Sequence, residues 1–91
     1  MPKLKAPEIK KALGRVPDWK KEGSTITRTY VFKDFPSAVR YVGKIAKLAE
    51  DAWHHPDIDI RWNKVTLVLT THDEGGLTVK DFKLAQKFDL A

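Results

Sequence analysis

The chain contains no cysteine and no long run of apolar residues. The first absence excludes disulfide bonds, thiolate metal sites and cysteine nucleophiles. The second predicts that no segment spans a membrane, and the N-terminal stretch MPKLKAPEIKK lacks the apolar core of a secretory signal peptide. We therefore expect a cytoplasmic protein with no membrane role.

Acidic residues are in the minority, since 17 lysines and arginines face 12 aspartates and glutamates, which gives a net charge of +5. Such a charge favours anionic partners in general, but a nucleic-acid surface would gather basic and aromatic side chains on one face. Here the basic residues are spread along the chain, and Arg40, Lys44 and Lys47 form a stripe typical of a solvated helix face. Nucleic-acid binding is therefore not expected.

A length of 91 residues predicts a single domain over 1–91, in which the basic segment 1–5 is expected to fray. Hydrophobic periodicity and turn residues then divide the rest of the chain. The predicted elements are a helix over 7–15, a short strand around Trp19, a strand over 25–33, a helix over 36–52, two strands flanking Asn63-Lys64, and a helix from 78 to near the C-terminus. The order α-β-β-α-β-β-α predicts an α+β two-layer sandwich, a four-stranded antiparallel sheet with the helices on one face.

The second hairpin has the clearer pattern. Six large apolar residues alternate with other residues about its turn: Ile58, Ile60 and Trp62 before it, and Val65, Leu67 and Leu69 after it. A loop of two or four residues centred on Asn63-Lys64 puts all six on the core face and sets Trp62 opposite Val65. The same register sets His55 opposite His72, with Cβ atoms about 5 Å apart. Trp62, like Trp19, is accordingly expected in the core.

All three histidines fall in the stretch from Glu50 to His72, with His54 and His55 at a helix-to-strand junction. Three interpretations are open: surface residues with no shared role, a zinc site, or metal-free acid–base catalysis on a small polar molecule. Adjacent residues of an extended chain point to opposite faces, which makes it difficult for both junction histidines to join His72 on one ion. Because histidine both gives and takes protons near neutral pH, the clustering favours catalysis, and elimination of water suits it.

The spacing around these histidines forms a longer motif. An acid, Glu50, is followed after three residues by His54-His55-Pro56, after five more by Trp62, after nine more by His72 and after eight more by Asp81. This pattern resembles the motif of the pterin-4a-carbinolamine dehydratases at every position. The likeness extends over nearly the whole chain from Trp19 onward, including the stretch VFKDF at 31–35.

The resemblance implies dehydration of 4a-hydroxytetrahydrobiopterin to quinonoid dihydrobiopterin, the recycling step after aromatic amino acid hydroxylation, with no cofactor and no metal ion. It implies that the catalytic residues are His54, His55 and His72, and leaves open which of them is the acid. It also implies that the substrate-binding residues are Glu50, Trp53, Pro56 and Asp81.

Two of these acids have further explanations. The carboxylate of Glu50 would either orient an imidazole or bind the aminopyrimidine edge of the pterin, or it is an ordinary solvated acid. Asp81 ends the sequence Thr78-Val79-Lys80-Asp81, which is typical of a helix capping box, so a structural role is sufficient to account for it.

The resemblance further implies a homodimer or homotetramer and a functional link to an aromatic amino acid hydroxylase. A chain this small also gains buried surface by assembling. The alternative function is binding, because animal members of the family act as dimerisation cofactors of a homeodomain transcription factor. A non-catalytic cofactor of this coactivator type is therefore the second hypothesis.

Overall fold

Three α-helices and four β-strands form in the computed structural model, which describes residues 2–91. In chain order they are α1 (Ala6–Leu13), β1 (Lys20–Glu22), β2 (Thr25–Val31), α2 (Phe35–Ala52), β3 (Asp57–Arg61), β4 (Lys64–Leu69), a 3₁₀ turn (His72–Glu74) and α3 (Val79–Leu90). The predicted α+β class and element order are confirmed.

Helix α2 has a clear signal at each end. The carboxylate of Asp34 accepts a hydrogen bond from the backbone N–H of Ser37 across 2.9 Å, and hydrogen bonding to Ser37 lowers the pKa of Asp34. At the other end Trp53 adopts the left-handed conformation, with φ of 50°. The N–H of His54 then returns to the carbonyl oxygen of Ala49 across 3.0 Å. The histidine pair therefore follows directly on the helix.

The strands form one antiparallel sheet in the order β1-β2-β4-β3. The two hairpins thus meet through β2 and β4 at the centre, whereas β1 and β3 are edge strands. The helices lie on one face, as predicted, and α2 contacts both α3 and β4. Core side chains with no exposed surface include Ile26, Ile45, Val65, Leu67, Leu69 and Phe88.

The register of the second hairpin differs from the prediction by two residues. Its loop is Trp62-Asn63, so Arg61 pairs with Lys64 and Ile60 with Val65. A shift of two keeps every side chain on its face, and the apolar pattern therefore could not distinguish the two registers. The expected pairing of His55 with His72 is wrong.

The loop position of Trp62 also overturns its predicted burial. Trp62 has φ of 53° and is 71% exposed. On the edge strand β3 beside it, Ile58 and Ile60 are 40% and 38% exposed, because no further strand covers them. Trp19, by contrast, is buried as expected.

The C-terminal end of α3 is tied to the sheet by one carboxylate. Asp89 accepts hydrogen bonds from the indole N–H of Trp19 across 2.9 Å, from Arg28 Nη1 across 2.8 Å and from the hydroxyl of Tyr30. The hydroxyl of Tyr41 donates to the carbonyl oxygen of Phe88. Burial raises the pKa of Tyr41 to about 12 and raises that of Tyr30 as well.

The N-terminal segment is held to the body of the domain. The N–H of Leu4 donates to the carbonyl oxygen of Leu77 across 2.8 Å, and Lys5 caps α1; the fraying expected for residues 1–5 stays a prediction. Met1 of that segment lies outside the described residues. No helix within residues 2–91 has the length and apolar character needed to cross a bilayer.

Candidate active site

His54 is placed by the end of α2 and held by the start of α3. Its Nε2 lies 2.5 Å from Oδ1 of Asp81, 27 residues further along the chain. The side chain of Asp81 has no exposed surface and that of His54 is only 10% exposed. A buried carboxylate needs hydrogen-bond donors, and this imidazole is one of them.

The other oxygen of Asp81 is equally occupied. Its Oδ2 accepts from the hydroxyl of Thr71 across 2.8 Å and from the backbone N–H of Thr78 across 2.9 Å. The two threonine hydroxyls are themselves 2.9 Å apart. The predicted capping box is therefore present, and the same Asp81 that completes it also orients His54.

Asp81 brings the first histidine close to the segment of the third. Thr71, bonded to Asp81, is the residue before His72, and the buried carboxylate thus links the end of α2 to the chain after β4. His72 itself opens the 3₁₀ turn and is exposed. Within residues 2–91 its ring makes no hydrogen bond, ion pair or ring contact, and so it is free to meet a ligand.

His55 belongs to a separate, more exposed pair. Its Nε2 lies 2.7 Å from Oε1 of Glu50, and the two side chains are 54% and 64% exposed. Glu50 precedes His54 by one helical turn, yet it contacts His55. The ring of Trp53 meets His55 edge-on, with centroids 5.4 Å apart, and Trp53 is 73% exposed. Pro56 follows, half-buried.

The predicted site residues thus form two groups. One joins His54 to Asp81 and the other joins His55 to Glu50 and Trp53, while His72 contacts neither group directly. Across the described part of the chain, no three histidine, aspartate or glutamate side chains converge in a way that could hold a metal ion. The arrangement instead offers imidazoles with different environments, which suits proton transfer.

Sequence reasoning missed the role of Thr71. The capping-box spacing identifies Thr78 and Asp81 as partners, but no local pattern indicates that the hydroxyl of Thr71 reaches the same carboxylate. That contact depends on the antiparallel bridge between Thr71 and Gly76, which folds the loop back on itself. The one available signal for this contact in the sequence was the position of Thr71, a polar residue directly before the candidate histidine His72.

Comparison with known proteins gives a consistent result. The family model described as pterin 4 alpha carbinolamine dehydratase matches residues 2–91. A relative from Chloroflexus aurantiacus, provisionally named a pterin-4-alpha-carbinolamine dehydratase, is 54% identical over 89 residues, which cover 98% of this chain and 96% of the relative. A relative from Roseiflexus castenholzii with the same provisional name is 55% identical over 82 residues, or 90% and 88% of the two chains.

The fold is likewise similar to a solved structure. The crystal structure of a protein from Brucella melitensis, described as a transcriptional coactivator/pterin dehydratase, superposes with a TM-score of 0.92 at 36% sequence identity. The match covers 97% of this chain and 96% of that one.

Proposed function

The chain belongs to the pterin 4 alpha carbinolamine dehydratase family, and we propose that it removes water from 4a-hydroxytetrahydrobiopterin by histidine acid–base catalysis without a metal ion. The product is quinonoid dihydrobiopterin, and the step belongs to tetrahydrobiopterin recycling. The observation that carries this proposal is the hydrogen bond from His54 to the fully buried Asp81, in a chain whose other two histidines are exposed.

The reaction needs two proton transfers and no net oxidation. The C4a–O bond breaks as the hydroxyl takes up a proton and leaves as water. The N5–H bond breaks at the same time, its electron pair forms the C4a=N5 double bond, and its proton passes to a base. One proton donor and one proton acceptor near the same ring are sufficient, and histidine supplies both functions near neutral pH.

His54 serves as the proton acceptor in this proposal. Thr71 and Thr78 occupy Oδ2 of Asp81, which leaves Oδ1 to accept the Nε2–H of His54. A neutral imidazole with its proton on Nε2 carries the lone pair on Nδ1. Asp81 therefore fixes the tautomer and stabilises the imidazolium that forms when His54 takes a proton.

His72 and His55 are the candidates for protonating the leaving hydroxyl. His72 has a ring without an intramolecular partner in the described chain, and His55 is exposed beside Glu50. Glu50 orients His55, and the exposed ring of Trp53 gives a flat pterin an aromatic surface to stack on. Pro56, which follows His55 in the chain, forms part of the wall of the proposed pterin site.

Assembly and partners extend the proposal. The edge strand β3 leaves Ile58 and Ile60 partly exposed, and Phe35 and Val39 of α2 are 50% and 44% exposed. An uncovered strand edge and exposed apolar side chains favour pairing with a second copy, as a homodimer or homotetramer. We further propose a cytoplasmic location. We also propose a functional link to an aromatic amino acid hydroxylase, the class of enzyme that forms 4a-hydroxytetrahydrobiopterin.

A second candidate function is supported by one comparison. The Brucella melitensis protein is described as a transcriptional coactivator as well as a pterin dehydratase. A dimerisation-cofactor role for this chain would use its exposed apolar surfaces rather than its histidines, so the two functions can be tested separately.

The test is a hydroxylase-coupled assay that follows quinonoid dihydropterin formed from the 4a-carbinolamine. It compares this protein as purified with the same protein after it has been treated with a strong chelator and separated from it. We expect acceleration over the spontaneous rate that survives chelation. A folded protein that leaves the spontaneous rate unchanged would favour the binding function. Loss of activity on chelation with recovery on adding zinc would overturn the metal-free mechanism.

A further inference from the structure

A groove lies between α1, the β1–β2 turn and the loop at 75–77, and no histidine lines it. Its volume is about 470 Å³, within the range of sites that hold small molecules. None of the candidate catalytic or substrate-binding residues lines it. The groove therefore needs an explanation of its own.

The floor of the groove is apolar. Leu4, Ile9 and Leu13 are only half-buried there, beside the fully buried Leu77. Helix α1 has no fully buried residue: Ile9 and Leu13 pack against the core on one side and stay partly exposed along this groove on the other. An aliphatic ligand would remove this exposed apolar surface from water.

The rim of the groove is cationic. Lys3, Lys10 and Lys21 line it from three different segments, and no acidic side chain lines it. Lys21 faces the groove because its ladder partner, Ile26, lies on the helix side of the sheet. Within residues 2–91 none of the three ammonium groups has a carboxylate partner. Their charge is therefore available to an anion.

Gly76 makes room for one of these lysines. A Cβ atom on Gly76 would lie 2.7 Å from Cδ of Lys3, which shows that the aliphatic stem of Lys3 rests directly on the glycine. The stem thus extends the apolar floor while the ammonium group stays at the rim.

The same loop argues against a phosphate ligand. The N–H groups of Gly75 and Gly76 already donate to the carbonyl oxygens of His72 and Thr71, across 3.0 and 3.3 Å. They do not form the open nest of backbone donors that a phosphate prefers, and no arginine lines the groove. Point charges on lysines above an apolar floor suit a carboxylate with an aliphatic tail.

We propose that this groove binds a single-chain amphipathic carboxylate, with the tail along Ile9 and Leu13 and the head group among Lys3, Lys10 and Lys21. The proposal does not depend on the dehydratase function, because the groove and the histidines share no residue.

The test is a titration of the full chain with sodium decanoate below its micelle concentration, followed by amide chemical shifts in two-dimensional NMR. We expect saturable shifts confined to residues 3–13, 21–24 and 75–77. The double variant Lys10→Glu/Lys21→Glu should weaken decanoate binding at least tenfold, while Lys44→Glu/Lys47→Glu, the same charge change on the solvent face of α2, should not. All four lysines are exposed, and the spectra themselves report that each variant is folded.

Decanol, which has the same tail and no charge, separates the two parts of the proposal. It should bind the wild type more weakly than decanoate does and should not distinguish the two double variants. Shifts scattered over β3 and α2, equal affinity for decanol and decanoate, or an equal loss in both double variants would each overturn the proposed site.

Discussion

Asp81 holds His54 through a 2.5 Å contact between Oδ1 and Nε2, and the same carboxylate caps α3 through the N–H of Thr78. One side chain therefore begins a helix and orients a candidate catalytic ring. Because the two tasks use different oxygens, a substitution can remove one and keep the other.

The variant Asp81→Asn makes this separation. The amide oxygen of asparagine still accepts from Thr78 and Thr71, so the cap is retained, but its NH₂ group then faces Nε2 of His54. That contact favours the other tautomer, with the lone pair on the wrong nitrogen. We expect the dehydration rate to fall by at least about 10²-fold with little change in the melting temperature.

The matched control is Asp34→Asn, which makes the same change at the N-cap of α2, where the partner is Ser37 and no histidine is near. Its dehydration rate should equal that of the wild type. Equal rates in both asparagine variants would remove Asp81 from the mechanism and leave it a structural cap.

Thr71 provides a second, independent test of the same network. The variant Thr71→Val keeps the shape of the side chain but removes one donor from the buried carboxylate, which typically costs about 1–3 kcal/mol. We expect lower stability in urea, a lower dehydration rate and an altered pH dependence of that rate. Thr71→Ser restores the hydroxyl and should restore the stability, the dehydration rate and the pH dependence of that rate. A serine variant as impaired as the valine variant would show that packing, not the hydrogen bond to Asp81, matters.

The two tyrosines give a prediction about alkaline pH. Burial raises the pKa of Tyr41 to about 12 and also raises that of Tyr30, which donates to Asp89. Since the folded values lie above the unfolded value near 10, their contribution to stability is complete below about pH 10 and is lost as the pH rises through the folded values.

A spectrophotometric titration checks the direction of this pH dependence of stability. Tyrosinate absorbance should be nearly absent at about pH 11 while circular dichroism still reports the fold, and it should rise together with unfolding. Tyrosinate that appears with a midpoint near 10 in the folded protein would contradict the burial of these hydroxyls.

Self-association tests the exposed edge. Light scattering should give a mass of two or four chains, and the variant Ile58→Lys/Ile60→Lys should give a smaller assembly, because charges on an edge strand oppose pairing. The control Thr27→Lys changes the open face of the central strand β2. If the wild type has the 10.4 kDa mass of one chain at micromolar concentration, the proposed homodimer or homotetramer is contradicted.

The fold could be predicted from the sequence where the signals are local. The apolar stripe of α2, the proline in its first turn and the alternation of β3 and β4 each indicate an element and the face it buries. The register of the second hairpin could not be obtained in this way. An asparagine tolerates left-handed backbone more readily than a tryptophan does, yet Trp62 takes the left-handed position and moves the loop by one residue.

The candidate site residues could be selected from the sequence, but their arrangement could not. Spacing identified the three histidines and Asp81, since the motif is a property of the sequence. Which histidine each acid contacts depends on tertiary structure. Glu50 contacts His55 rather than His54, although His54 lies one helical turn after Glu50, and Asp81 reaches His54 from another helix. The burial of His54 follows from that contact.

The most direct test of the central claim compares the wild type with His54→Gln, His55→Gln and His72→Gln in the hydroxylase-coupled dehydration assay, with Asp73→Asn, next to His72, as control. Acid–base catalysis predicts that the wild type accelerates dehydration, that His54→Gln and at least one of the other two histidine variants are slower by about 10²-fold or more, and that the control is unchanged. Histidine variants that are folded and as fast as the wild type would contradict the account.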